Sequence, residues 1–283
     1  MGNVIVIGGK GQLGQCLQEK IKSGGDHDFI FLGSADLDIT SDVQTREIFD
    51  KYQPVYCINC AAYTAVDQAE EDLDRAFSIN EFAVKRLAEN CLIYHTVLIH
   101  ISTDFVFNGD SSIPLTETLH TSPVNVYGLS KLKGEQEIQE VMEAYYIIRT
   151  SWLYSEKANN FVKTMLKLAQ SRSELTVIYD QVGTPTYAMD LAEVIIGIIA
   201  HDPKAYGLYH YSNEGVASWY DFAKAVFEFA EVDMKVLPVA SSAFVTKAKR
   251  PHYSVLDKTK IKTALGIEIP YWRESLNRCV QNL

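Results

Sequence analysis

Four consecutive β-branched apolar residues, Val4-Ile5-Val6-Ile7, run straight into Gly8-Gly9-Lys10-Gly11-Gln12-Leu13-Gly14 at the start of a 283-residue chain. An unbroken apolar run of this length suits a strand buried on both faces, inside a parallel sheet. The glycines at 8, 11 and 14 then have separate uses. Gly8 permits a tight turn, Gly11 lets the backbone approach a pyrophosphate, and Gly14 allows a helix to pack close to the strand. A helix over Gln12 to Lys22 would offer unpaired N–H groups and its positive dipole end to that pyrophosphate. Strand, turn and helix in this order predict a dinucleotide site.

The first half of the chain continues the alternation. Strands are predicted at Phe29–Leu32, Val55–Cys60, Thr96–Ser102 and Tyr146–Arg149, with helices near Val43–Tyr52 and Leu73–Cys91 and around Tyr127. This rhythm predicts an α/β fold, a doubly wound parallel sheet of the Rossmann type, with ligands at the carboxyl ends of the strands. The second half is less regular: helices at Ala158–Gln170 and Trp219–Ala230, strands at Leu175–Tyr179 and Leu208–Tyr211, and a tight loop at Gly183-Thr184-Pro185-Thr186. The apolar helix Ala188–Ala200 is expected to return to the sheet. Residues 1–150, with 180–212 returning, are therefore assigned to a dinucleotide-binding domain. Residues 151–179 and 213–283 are assigned to a smaller, interleaved α/β substrate-binding domain; at 47% hydrophobic content the chain can fill both cores.

Tyr127 and Lys131 are four apart, so a helix sets them on one face, and an ammonium there could acidify a phenol whose ordinary pKa is about 10. Y-x-x-x-K alone also describes a surface tyrosine over a solvated lysine. Thr103 lies at one predicted strand end and Arg149-Thr150-Ser151-Trp152 at another, which brings both segments to the same crevice. Tyr127, Lys131 and Thr103 thus form a candidate proton donor, its pKa tuner and a carbonyl polariser. At the end of the second strand, Gly33-Ser34 supplies neither the acid of an NAD site nor the arginine of an NADP site. Nothing there repels a 2′-phosphate, so NADPH is preferred and NADH is the alternative. Asp38 could accept from an adenine amino group or serve as a turn or helix-cap residue.

A net charge of −10 argues against nonspecific binding to nucleic acid or an anionic membrane. An anionic substrate must then be met locally, with Arg149, Lys163, Arg172, Lys249 and Arg250 as candidates. No apolar run reaches about 18 residues and the N-terminus lacks an export-signal layout, so a cytoplasmic protein without membrane attachment is expected. Cys57-Ile58-Asn59-Cys60 sits in an apolar strand, where a buried reduced pair is expected in place of a metal or redox site. His100 alternates into a buried strand and is expected to be a satisfied core residue.

The motifs Gly8–Gly14, Asn59-Cys60-Ala61-Ala62-Tyr63-Thr64-Ala65-Val66-Asp67, Ser102-Thr103-Asp104-Phe105-Val106-Phe107, Tyr127–Lys131 with Gly134-Glu135, Arg149–Tyr154, Asn159-Asn160-Phe161 and Asp180-Gln181-Val182-Gly183-Thr184-Pro185-Thr186 occur in order along nearly the whole chain. Together they make it similar to the extended short-chain dehydrogenase/reductases, and within them to the dTDP-4-dehydrorhamnose reductase family. The resemblance implies NAD(P)H-dependent reduction of the 4-keto group of dTDP-4-dehydro-L-rhamnose in polysaccharide precursor synthesis, with a nucleotide sugar as the partner. It implies that Gly8, Gly11, Gln12 and Leu13 cradle the cofactor pyrophosphate, Asp38 and Ile39 its adenosine end, and Ala62, Tyr63 and Thr64 its middle. Tyr127 would be the acid, Lys131 would hold the nicotinamide ribose, Thr103 and Asp104 would contact the sugar, Trp152 would wall its pocket, and Asn80 would lie nearby. Some members of the family form a magnesium-bridged dimer through glutamates, where this chain has Cys16 and Met189. Neither is a good magnesium ligand, so no metal and a monomer or weak homodimer are expected. A dehydratase is disfavoured because Phe105 stands where those enzymes carry a glutamate after Thr-Asp. An epimerase, or a noncatalytic NADP-binding regulatory subunit, is the remaining alternative.

Overall fold

The computed structural model describes residues 2–21 and 27–283. At its centre is a six-stranded parallel sheet in the spatial order Gly207–His210, Tyr145–Thr150, Val97–Thr103, Tyr56–Asn59, Asn3–Ile7, Asp28–Leu32. The pleat sends Val4 and Val6 into one layer, with Leu13 and Leu17 of helix Gln12–Ile21 and Ile195 of helix Ala188–His201. It sends Ile5 and Ile7 into the other layer, with Phe49, Leu87 and Ile138. Both faces being covered explains why the strand is apolar without alternation; each such side chain contributes about 1.5–3 kcal/mol by leaving water. The predicted end of the first helix, Lys22, lies outside the described residues.

From Asn3–Ile7 the chain steps outward to Asp28–Leu32, then crosses back to lay Tyr56–Asn59 on the other side of Asn3–Ile7. The reversal opens a crevice between the carboxyl ends of those two inner strands. There the loops meet at close quarters: Gly8 has φ +79°, and a Cβ on it would lie 2.8 Å from the Ala61 nitrogen.

Three features differ from the sequence expectation. The helix expected at Leu73–Cys91 is Leu73–Phe77 and Ala83–Ile93 joined by a π-helical turn, Ser78–Phe82, which turns Asn80 inward. Strand Lys235–Val239, which the alternation did not reveal, pairs in parallel with Glu174–Ile178; Pro238 is tolerated because this is a two-stranded sheet made of edges. Helices Thr259–Leu265 and Trp272–Gln281 were also not foreseen, and Ile261 and Ile269 pack beneath the large sheet. Helix Ala188–His201 packs on Gln12–Ile21 against the large sheet, and Gly207–His210 is that sheet's sixth strand. A second core, built on Tyr154, Val162, Phe222, Val226, Trp272 and Leu276, underlies the less regular half.

Candidate active site

A cleft of about 1000 Å³ runs along the carboxyl ends of the strands, and Gly8, Gly11, Gln12, Leu13, Asp38, Ile39, Ala62, Thr64, Thr103, Asp104, Tyr127, Lys131 and Trp152 all line it. At the glycine turn the Gly11 N–H donates to the Gly8 carbonyl (2.9 Å), so Gly11 contributes space, and the free donors are those of the first helical turn after it. The Gln12 side chain is already engaged, donating to the Leu153 carbonyl (3.0 Å) and accepting from Asn160 Nδ2 (2.9 Å), which clamps the turn to the opposite wall. Asp38 lines the cleft and plays the turn role, its carboxylate accepting from the Thr40 N–H and hydroxyl at 2.9 and 2.7 Å. Tyr63 does not line the cleft. Its ring packs with Ala69, Ala76 and Tyr127, and its backbone N–H donates to Asn80 Oδ1 at 2.9 Å.

The tyrosine helix, Val126–Val141, is fixed at its start by Asn125, whose Oδ1 accepts from the Gly128 N–H (2.7 Å) while its Nδ2 donates to the Lys249 carbonyl (2.8 Å). Tyr127 therefore enters the cleft from the first turn. It sits edge-on to Phe105 and near the Thr103 hydroxyl. Burial pushes its phenol up to about 12, Asp104 reinforcing the shift and Thr103 opposing it. The expectation that Lys131 acidifies the phenol is not met in this arrangement. The amine instead donates to the Ile101 carbonyl at 2.7 Å and lies 3.1 Å from His100 Nε2, and burial draws it down to about 8 against the pull of Glu135 and Cys60.

Thr103 Oγ1 accepts from the Phe105 N–H (3.2 Å) and donates to Asp104 Oδ1 (3.1 Å). Asp104 is 2% exposed, and burial pushes its carboxyl up to about 6. The Ser254 hydroxyl is near enough to oppose that shift without closing a hydrogen bond on Oδ2, which meets no donor among the described residues. Asp104 is thus a buried acceptor in want of a donor at the cleft wall.

A second cavity of about 530 Å³ adjoins the first, and Asp104, Phe105, Trp152 and Trp219 line both. Trp152 is held at φ +48°, a left-handed conformation that costs a bulky residue about 1 kcal/mol or more, and its indole stacks on Trp219 at 3.6 Å with 10° between planes. Phe161, Met165 and Val177 complete an apolar wall; Arg172, Arg250 and Gln181 supply polar groups. Of the cationic candidates, only Arg172 and Arg250 reach this cavity. Arg149 is consumed in a buried pair with Glu135 (2.6 Å), and Lys163 donates to the Glu156 carbonyl. Trp219 escaped sequence analysis because its helix was legible but its facing was not; Ser218 in a capping box, bonding Asp221, sets that orientation.

Cys57 is buried beside Cys91, and Cys60 is half-buried at the cleft, so pleat alternation turns the two thiols to opposite faces. Asn80 binds the Tyr63 backbone and donates to Ser130 Oγ at 3.0 Å, beneath the cleft floor. Cys16 is fully buried, and burial pushes its thiol up to about 11, leaving a neutral group that a hard cation has no reason to seek.

Comparison with known proteins agrees with this geometry. The RmlD substrate binding domain family matches residues 2–283. A dTDP-4-dehydrorhamnose reductase of Aggregatibacter actinomycetemcomitans is 41% identical over 98% of this chain and 97% of its own. Spore coat polysaccharide biosynthesis protein SpsK of Bacillus subtilis is 41% identical over 99% and 98%. Among solved structures, dTDP-4-dehydrorhamnose reductase from Bacillus anthracis in complex with NADP superimposes with a TM-score of 0.95, at 40% identity, covering all of this chain and 99% of that one.

Proposed function

The chain belongs to the RmlD substrate-binding-domain family, and from that premise we propose that it reduces the 4-keto group of dTDP-4-dehydro-L-rhamnose with NADPH, giving dTDP-L-rhamnose. One observation carries the proposal: the dinucleotide-sized cleft and the aromatic cavity meet where Tyr127, Thr103 and Asp104 converge. The residues fit the cofactor, because the cleft offers a glycine cradle, a helix N-terminus and a lysine amine in sequence along its length. The bound cofactor supplies the hydride that reaches the sugar's C4. The Gln12 and Leu13 amides would hold the pyrophosphate, Asp38 and Ile39 the adenosine end, Ala62 and Thr64 the middle, and Lys131 the nicotinamide ribose. Lys10, which lines the adenosine end, would face a 2′-phosphate.

We place the sugar against Asp104 and Trp152, and its diphosphate toward Arg172 and Arg250. Negative charge growing on the carbonyl oxygen is met by the Thr103 hydroxyl and by proton delivery from Tyr127. A phenol held near 12 is fully protonated at neutral pH, yet an alkoxide is a far stronger base than a phenolate, so transfer runs downhill in the reductive direction. We further propose the domain division at 150/151, with 180–212 returning to the dinucleotide-binding part, and a monomer or weak homodimer acting in the cytoplasm.

The test is to supply enzymatically prepared dTDP-4-dehydro-L-rhamnose and follow NADPH absorbance. Stoichiometric loss is expected, with Tyr127→Phe lowering turnover by roughly 10²–10⁴-fold in a folded variant. Sugar conversion without NADPH loss would instead identify an epimerase. A chelator should change neither rate nor mass, because Cys16 and Met189 offer no carboxylate; a chelator-sensitive dimer would contradict the metal-free assignment.

A further inference from the structure

His100 is fully buried, lies on the strand that leads to Thr103, and has no part in the chemistry above. Its two ring nitrogens have separate partners. Nδ1 is 3.1 Å from Asn59 Nδ2, and Nε2 is 3.1 Å from Lys131 Nζ. The direction of these bonds is fixed from one end. The backbone N–H of Ala61 donates to Asn59 Oδ1 at 3.1 Å, and a backbone amide cannot turn into an acceptor. The Asn59 amide must therefore keep its oxygen toward Ala61 and its NH2 toward His100. Nδ1 must accept, since a proton there would oppose that NH2. A neutral imidazole with an accepting Nδ1 carries its proton on Nε2, and that N–H points at the lysine nitrogen.

We propose that Asn59 and His100 are positioning residues for Lys131: a hydrogen-bond chain, oriented by the Ala61 amide, presents an N–H donor to the lysine amine and so favours its proton-free form before the cofactor arrives. A neutral amine satisfies every contact, donating to the Ile101 carbonyl at 2.7 Å and accepting from Nε2–H. An ammonium has no lone pair and faces a donor at 3.1 Å. The other titratable groups that act on the amine are Glu135 on its own helix and Cys60 from the turn after Tyr56–Asn59; Glu135 is held by Arg149. Burial lowers both His100 and Lys131 from their ordinary values, in keeping with a neutral imidazole beside an amine that gives up its proton easily. The chain thus makes Lys131 a titrating group and not a permanent cation.

This inference rests on the proposed NADPH site but not on the identity of the sugar, so its test reads cofactor affinity alone. NADPH binding to the full chain is followed by nicotinamide fluorescence from pH 6.5 to 10. Ribose hydroxyls are best held by the ammonium, so affinity should fall along an alkaline limb near pH 8. In His100→Gln the amide is free to turn its oxygen to the lysine, and in Asn59→Asp the carboxylate requires Nδ1–H and makes Nε2 an acceptor. Each should move the limb up by about one pH unit or more. Asn59→Asp serves as the second variant where His100→Gln fails to fold, and unfolding by heat confirms that the variant tested is native. A limb that stays in place or moves down in a folded variant overturns the proposal. Loss of NADPH binding at every pH in the unmodified protein would instead sink the functional assignment.

Discussion

At the residue scale, Asp104 links stability to pH. Its carboxyl titrates at about 6 in the fold against 3.8 when unperturbed, so between those values the native state holds more protons than the unfolded chain. The resulting stabilisation is complete below about pH 4 and is lost as pH rises through 6. Asp104→Asn should therefore be more stable than the parent at pH 8 by on the order of 2–3 kcal/mol, with the gap closing by pH 4, as urea denaturation at the two pH values would show. Equal stabilities at pH 8 would mean that the carboxylate finds a partner in solution. The same variant should bind the sugar nucleotide more weakly. At the adenosine end, Lys10→Glu should weaken NADPH about tenfold or more while sparing NADH, measured by paired titrations. That Tyr127, Thr103 and Trp152 share one crevice was legible because strand ends and helical spacing dictate it, whereas Asp104 was singled out by the family motif alone. Where the Lys131 amine and the Tyr63 ring point was not legible, because three-dimensional neighbours such as Ile101, His100 and Ala76 choose those rotamers.

At the element scale, the tyrosine helix is held by close backbone approach. A Cβ on Gly134 would lie 2.1 Å from the Asn80 carbonyl oxygen, and one on Gly128 would lie 2.2 Å from that of Phe105. Gly134→Ala must push the helix off the π-helical turn and should cost about 1–3 kcal/mol, with a rise in KM for NADPH as Lys131 moves; calorimetry and steady-state kinetics would check both. Unchanged stability would show that the turn yields freely. The sheet was legible from its apolar runs, since burial on both faces leaves a plain signature. The π turn was not, because its extra residue is imposed by packing against Gly134 and Ser130 and leaves the helical pattern of Leu73–Ile93 intact. Lys235–Val239 was hidden for a similar reason: a short edge strand carrying Pro238 lacks period-2 contrast.

At the scale of the whole molecule, Asp190 ties the two halves together. It accepts from Arg278 at 2.7 Å and from Asn213 Nδ2 at 2.8 Å, joining the helix that returns to the sheet, the segment after the sixth strand and the C-terminal helix. Asp190→Ala leaves Asn213 buried without this acceptor and should lower Tm by about 5–10 °C, measured by calorimetry. A smaller shift would show the halves to be independent. The sixth strand, Gly207–His210, has a further consequence. It pairs with Tyr145–Thr150, yet residues 151–206 intervene, an excursion through the other core followed by the helix Ala188–His201 that returns to this one. During synthesis, the ribosome must release the chain past residue 210 before that edge is covered, so the nascent first half waits, with a hydrogen-bonding strand open to solvent, for its own distant continuation.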